Sequence, residues 1–260
     1  MKAILSSALL LLSAALLLSG CARHGRGADV LYQTSTINAL MEGVYDGTTT
    51  FAELKKNGDF GIGTFNALDG EMVGVDGVFY QMKSDGTVLT VSDDARTPFA
   101  VVKFFSPGKT VRISGSRDLD GLMRELDGLL PTRNTFYAVR IEGTFPRIKA
   151  RSVPAQRKPY PGLAEAARNQ SVFEFNDIRG TIIGFRSPDF VQGINLPGYH
   201  FHFISEDRKA GGHLLGCLIE GATVALDETG DFHLVLPESD EFRRSDLGRD
   251  RRRELDKAER

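Results

Sequence analysis

Hydrophobic residues recur along this chain with several periods, and each period predicts a different element. Residues 3–18 are apolar without a single charge, behind the lone positive residue Lys2. A run of that kind, ending in small residues, is the h-region of a secretory signal and not a stable membrane span. Residues 31–57 start extended and pass into helix signals. Thr48 to Thr50 offer N-caps ahead of Phe51-Ala52-Glu53-Leu54-Lys55-Lys56, and Gly58 supplies a stop. From about 60 to 105, short β-rich runs alternate with Asp-Gly steps at 69–70, 76–77 and 85–86. Asp-Gly is a strong signal for tight turns that need positive φ, so this stretch predicts a meander.

Residues 119–130 return to a helical period, with Leu119, Leu122, Met123, Leu126, Leu129 and Leu130 three and four apart and Pro131 as the stop. Strands are predicted over 137–141 and 147–153. Residues 154–162, with three prolines, form a linker or ordered crossover, and a short helix follows over 163–169. A second β-rich block then predicts strands over 172–175, 180–185, 198–204, 213–219 and 233–236. The tail, 238–260, holds eight basic and eight acidic residues with only Phe242, Leu247 and Leu255 as large apolar ones. By pattern it is a solvated helix or a frayed end. The whole predicts an α+β fold with two β-sheets and few helices. The expected division is a signal peptide over 1–20, a tether over 21–30, a mixed subdomain over 31–170 and a β-rich metal-binding subdomain over 171–260.

Composition adds little to this picture and excludes some function classes. Of 260 residues 25% are charged, yet the formal net charge is only −2, so no global field favours nucleic acid. Cysteine changes the picture more. The sequence Leu18-Ser19-Gly20-Cys21 resembles a bacterial lipobox, in which the cysteine receives lipid after cleavage. Cys21 is thus the expected lipidation site, making the membrane a partner and the cell envelope the location. The only other cysteine is Cys217, so the mature domain has no internal disulfide.

The candidate chemistry lies in the histidines. There are five, and three of them, His200, His202 and His213, fall within fourteen residues. In the alternating run Tyr199-His200-Phe201-His202-Phe203 both imidazoles project from one face of a strand and the phenylalanines from the other. Residues 205–212 predict a hairpin loop, and pairing residue 204 with residue 213 puts all three histidines on one face. Three neutral imidazoles suit zinc, copper, iron or nickel and leave positions open for water or substrate. The plain alternative is three histidines hydrogen-bonded separately on a polar sheet face. His24 and His233 have no partners in the pattern.

Four blocks resemble the α-acetolactate decarboxylase family: MEGVYDG (41–47), GDFGIGTFNALDGEMVGVDGVFYQ (58–81), RTPFA (96–100) and PGYHFHFISEDRKAGGH (197–213). The resemblance runs from about Leu31 to the C-terminus. It implies two α/β parts with the metal between them, a homodimer, and zinc on His200, His202 and His213. It also implies three further site residues: Glu71 in the LDGE turn, Arg151 in KARSV, and a C-terminal glutamate matching Glu259, with Glu254 as the alternative alignment. Thr64 is a substrate-contact candidate alongside Arg151. By pattern alone Glu71 sits after an exposed turn, and Arg151 belongs to a basic face with Arg147 and Lys149.

The implied reaction converts 2-acetolactate to (R)-acetoin and carbon dioxide. Decarboxylation of such a β-keto acid pushes electrons into the neighbouring ketone, and a Lewis acid stabilises the oxyanion that forms. A carboxyl group then delivers a proton to carbon, for which its pKa must be raised by burial or by a second carboxylate. Two rival classes share the histidines. One is another three-histidine metalloenzyme, revealed by oxygen consumption; the other is a metal-dependent solute-binding lipoprotein, revealed by binding without turnover.

Overall fold

The computed structural model describes residues 29–259, so the predicted signal segment, Cys21 and nearly all of the tether lie outside the described residues. The strands are β1 (Val30–Thr34), β2 (Thr49–Thr50), β3 (Phe60–Thr64), β4 (Glu71–Val75), β5 (Val78–Met82), β6 (Val88–Thr90), β7 (Arg96–Thr97), β8 (Ala100–Lys103), β9 (Lys109–Asp118), β10 (Phe136–Ser152), β11 (Ser171–Ser187), β12 (Gly198–Ser205), β13 (Gly211–Thr229) and β14 (Asp231–Val235). The helices are α1 (Ile37–Met41), α2 (Phe51–Leu54), α3 (Leu119–Leu129), α4 (Leu163–Ala166), α5 (Asp240–Arg244) and α6 (Arg252–Glu259). This is the mixed α+β composition that the pattern predicts.

A seven-stranded sheet runs in the order β14-β1-β8-β3-β4-β5-β6, and a five-stranded sheet in the order β10-β11-β12-β13-β9. Both draw strands from either side of residue 170. The meander is the antiparallel run β3-β4-β5-β6, turned at Gly70, Gly77 and Gly86, each with φ near +80° to +90°. The second sheet closes on itself because β10 also pairs with β13. Stepping across it from Arg140 leads to Ile183, His202, His213 and then Arg151, eleven residues further along the same strand. That stagger tilts the strands and carries β12 across the end of the closed sheet.

Side-chain alternation sorts the apolar residues into layers. Phe201, Phe203, Leu214, Ile148 and Ala150 fill the inside of the closed sheet. Their neighbours Ile204 and Val153 point the other way and share a core with Leu31, Ile62, Val73 and Val101 of the seven-stranded sheet. Phe51, Phe65, Met72 and Phe79 cover that sheet's far face. Burying each such large side chain contributes about 1.5–3 kcal/mol.

The elements differ from the sequence reading in several places: β9 falls where no strand is predicted, β13 runs on to Thr229, and β2 and β7 form a small third sheet. The predicted strands 137–141 and 147–153 are one strand, β10, as are 172–175 and 180–185 in β11. Pro146, which breaks the pattern, falls where neither neighbouring strand pairs with it, so its missing N–H costs no ladder bond. The hairpin register is His202 opposite His213 and Ile204 opposite Gly211, not 204 opposite 213. The loop is shorter because Ser205 N donates to Ala210 O at 2.8 Å. A two-residue shift keeps every side chain on its face, so the histidines still converge. The tail is neither solvated throughout nor frayed, because α6 buries Leu255 and Ala258 in the core shared by the two sheets.

Candidate metal centre

His200 and His202 project from one face of β12 because Phe201 and Phe203 occupy the other, buried inside the closed sheet. His213 opens β13 directly across from His202. One ligand atom from each of the three rings lies within 4.8 Å of the other two, and all three residues are buried. Two of the rings have a fixed hydrogen. His202 Nδ1 lies 2.8 Å from the Met72 carbonyl, and His213 Nε2 lies 2.9 Å from the Glu259 carbonyl. A carbonyl only accepts, so the hydrogen sits on those nitrogens and His202 Nε2 and His213 Nδ1 keep bare lone pairs. His200 Nε2 stands 3.2 Å from His213 Nδ1.

Burial, reinforced by the Arg151 charge, brings His200 down to about 3, and burial holds His202 and His213 well below the ordinary imidazole value. The rings are therefore neutral, as metal ligands must be. His202 Nε2 is buried without any hydrogen-bond partner. An orphaned buried acceptor is costly unless something positive meets it, and a cation seated among the three nitrogens satisfies it. The donor set fits zinc.

Three charged side chains close around the histidines. Arg151 lies beside His213 in the sheet ladder, where the exposed face of Arg147 and Lys149 has run in under the seven-stranded sheet. Glu71, at the start of β4, faces it from the seven-stranded sheet, and Glu259 comes from the end of α6. Arg151 Nη1 is 3.4 Å from Glu71 Oε1, and Nη2 is 3.5 Å from Glu259 Oε2. Glu71 Oε2 is 3.6 Å from His202 Nε2, while Glu259 Oε2 is 3.6 Å from His200 Nε2 and 3.5 Å from His213 Nδ1. Burial pushes Glu71 up to about 7, Arg151 opposing and Glu259 assisting; Glu259 is also raised by burial, again against Arg151. Such a carboxyl can hold a proton near neutral pH and give it up.

Each expected site residue has a definite place. Thr64 pairs with Glu71 across the β3–β4 ladder, and its hydroxyl donates to the Gly70 carbonyl at 2.7 Å, bracing the turn that presents Glu71. Glu254 is turned outward, its carboxylate 2.7 Å from Arg251 and half exposed, so α6 delivers Glu259 and not Glu254. The carbonyls of Met72 and Glu259, which orient two imidazoles, have no sequence signal, since any residue supplies a carbonyl. A cavity of about 1380 Å³ opens onto His200, His213 and Glu259 and runs out past Leu236, Phe242 and Leu247.

Residues 31–249 match the family model described as alpha-acetolactate decarboxylase. The chain belongs to the alpha-acetolactate decarboxylase family. The alpha-acetolactate decarboxylase of Methanosarcina mazei is 50% identical over 232 residues, covering 89% of this chain and 81% of that protein. The one from Methylococcus capsulatus is 47% identical, covering 88% of each chain. Among solved structures, alpha-acetolactate decarboxylase from Bacillus subtilis strain 168 superposes with a TM-score of 0.87 at 41% identity, over 88% of this chain and 99% of that one. In this member of the family, α6 and Glu259 lie beyond the stretch that the family model matches.

Proposed function

We propose that this chain is a zinc-dependent carboxy-lyase that converts 2-acetolactate to (R)-acetoin and carbon dioxide, with the metal seated between its two sheet-based parts. The observation that carries the reading is the convergence of three neutral imidazoles with Glu71, Arg151 and Glu259 in one buried place. Zinc held by His200, His202 and His213 supplies Lewis acidity toward the ketone that receives the electrons released with carbon dioxide. The protein's own groups do the rest. Arg151 binds the anionic substrate and orients it through its fork of donors. Glu71 holds a proton in its buried carboxyl and gives it to that carbon from one side, which fixes the product's hand. Glu259 holds Arg151 from the opposite side and, through its carbonyl, keeps the His213 ring turned.

The test uses the domain without its anchor residue, 22–260, stripped with a chelator and titrated with zinc. The expected result is acetoin formation that is lost on stripping and restored at one zinc per chain, with R-acetoin as the product. Full turnover by metal-free protein would refute the zinc requirement; zinc binding without turnover would favour a solute-binding role. The same reading places the chain, as a homodimer, on the cell envelope through lipid on Cys21. Each buried methylene of such an anchor contributes about 0.8 kcal/mol. Cys21→Ser is expected to stay unprocessed and unlabelled by a radioactive fatty acid, and equal labelling of both forms would sink the anchor.

A further inference from the structure

Glu259 reaches the histidines only through α6, and that helix has little of its own to hold it. It spans eight residues, Arg252–Glu259, and the apolar residues it buries are Leu255 and Ala258 alone. So short a helix is marginal alone, and one leucine with one alanine leaves its rotation and height weakly set. The residue before it supplies the missing constraint. The Arg251 carbonyl accepts the first helical bonds, from Leu255 N at 2.8 Å and Glu254 N at 3.0 Å. Its guanidinium meets the Glu42 carboxylate, with the two side chains only 10% and 23% exposed.

Glu42 stands on firm ground. It caps α1, every residue of which is buried, and its own N–H is held by the Asn38 and Ala39 carbonyls. Four residues earlier on the same helix, Asn38 Nδ2 donates to the Leu247 carbonyl at 2.8 Å. One face of α1 therefore grips the tail twice just before α6 begins. Arg251, just before α6, and Leu255 and Glu259 on it are four apart, which along a helical path keeps them within about 80° of one another around the axis and about 12 Å end to end. A slip of one residue would turn Glu259 by about 100°, away from the imidazoles.

We propose that Arg251 is a positioning residue for the reaction: clamped by Glu42, it sets the rotation and height of α6 so that Glu259 meets His200, His213 and Arg151. The proposal rests on the role given to Glu259 above. Neither Arg251 nor Glu42 touches the histidines in the contacts just described; both act through the helix.

The test compares zinc-loaded mature chains carrying R251Q, E42Q, the swap E42R/R251E made with E254Q because Glu254 lies 2.7 Å from Arg251 and would repel the new carboxylate, E259Q and R251Q/E259Q. R251Q and E42Q are expected to keep bound zinc and KM and to lose kcat by about 10–100-fold, the usual loss for an outer supporting contact. The swap is expected to recover most of that loss, and R251Q is expected to add nothing to E259Q. Amide exchange over residues 252–259 of the metal-free chains gives a second readout, faster in both single variants and slowed again in the swap. Wild-type kcat in R251Q and E42Q beside an impaired E259Q would overturn the proposal and leave the function standing. Losses that add in R251Q/E259Q, or a swap no better than R251Q, would also overturn it, because the pair would then be a general structural support. Wild-type kcat in E259Q would instead remove the role of Glu259, and this proposal with it.

Discussion

The carboxylates and the imidazoles of the site are held by different atoms, so they should separate under substitution. His202 is fixed through Nδ1 on Met72 O and offers Nε2, which is otherwise unpartnered. His202→Ala is expected to lose most bound zinc and nearly all turnover while keeping the fold, because Phe201 and Phe203 stay packed inside the closed sheet and Ile204 stays in the core between the sheets. Glu71 is a neighbour of that nitrogen at 3.6 Å and holds its proton through burial. Glu71→Gln is expected to retain zinc far better than His202→Ala and still lose turnover by about 10²–10⁴-fold, the typical loss for a general acid or base. Metal analysis beside steady-state rates checks both, and equal zinc loss in the two variants would contradict the division. Arg151→Lys is expected to be impaired as well, since lysine keeps the charge but spans Glu71 and Glu259 with no fork. The histidine trio was readable from strand alternation together with a hairpin loop. Glu71 and Arg151 were not, because a residue beside an Asp-Gly turn and one on a basic strand look exposed until a second sheet covers them.

At the scale of elements, the site depends on how closely β12 lies against β11. Gly184 pairs with Phe201, and a Cβ there would stand 1.9 Å from the His200 carbonyl and 2.9 Å from the Phe201 Cα. Backbone cannot yield as a flexible side chain does. Gly184→Ala is therefore expected to push β12 off its neighbour, cost at least the ~1–3 kcal/mol of ordinary overpacking, and weaken zinc binding. Denaturant unfolding and zinc titration check this; unchanged stability with full zinc affinity would show that the strands do not need this contact. Periodicity located α3 and cap residues located α2, and the caps show why. Asp118 accepts from Gly121 N at the start of α3, and Thr50 from Glu53 N at the start of α2, each such cap contributing about 1 kcal/mol. Strand lengths were less legible, since a glycine or proline interrupts the pattern without interrupting a strand paired on both sides.

Across the whole molecule the two sheets are tied by a buried ion pair as well as by their shared core. Lys103 of β8 is fully buried, 2.8 Å from Asp227 of β13 and hydrogen-bonded to Thr229. Burial raises the Asp227 pKa although Lys103 opposes it, so desolvation outweighs the attraction. A pair in that condition is expensive to break and cheap to replace. Asp227→Asn leaves Lys103 only the half-exposed Asp29 carboxylate, 3.7 Å away, and is expected to cost up to about 3–5 kcal/mol, whereas Lys103→Met with Asp227→Leu is expected to be neutral or stabilising. Urea unfolding of the three proteins decides; equal losses in the single and double variants would mean that the pair specifies the sheet packing rather than merely occupying it.

The sequence by itself determined the α+β class, the meander with its three turns, the helix read over 119–130 to within one residue, and the common face of His200, His202 and His213. Each follows from period, turn chemistry or capping, which act over a few residues. Only the tertiary structure decided that Glu71 and Arg151 are buried, that the tail returns Glu259 to the histidines, and that His202 stands opposite His213. Those facts depend on which strands from distant parts of the chain become neighbours. In this molecule that was fixed by a sheet that closes with an eleven-residue stagger and by a second sheet packed on its outer face.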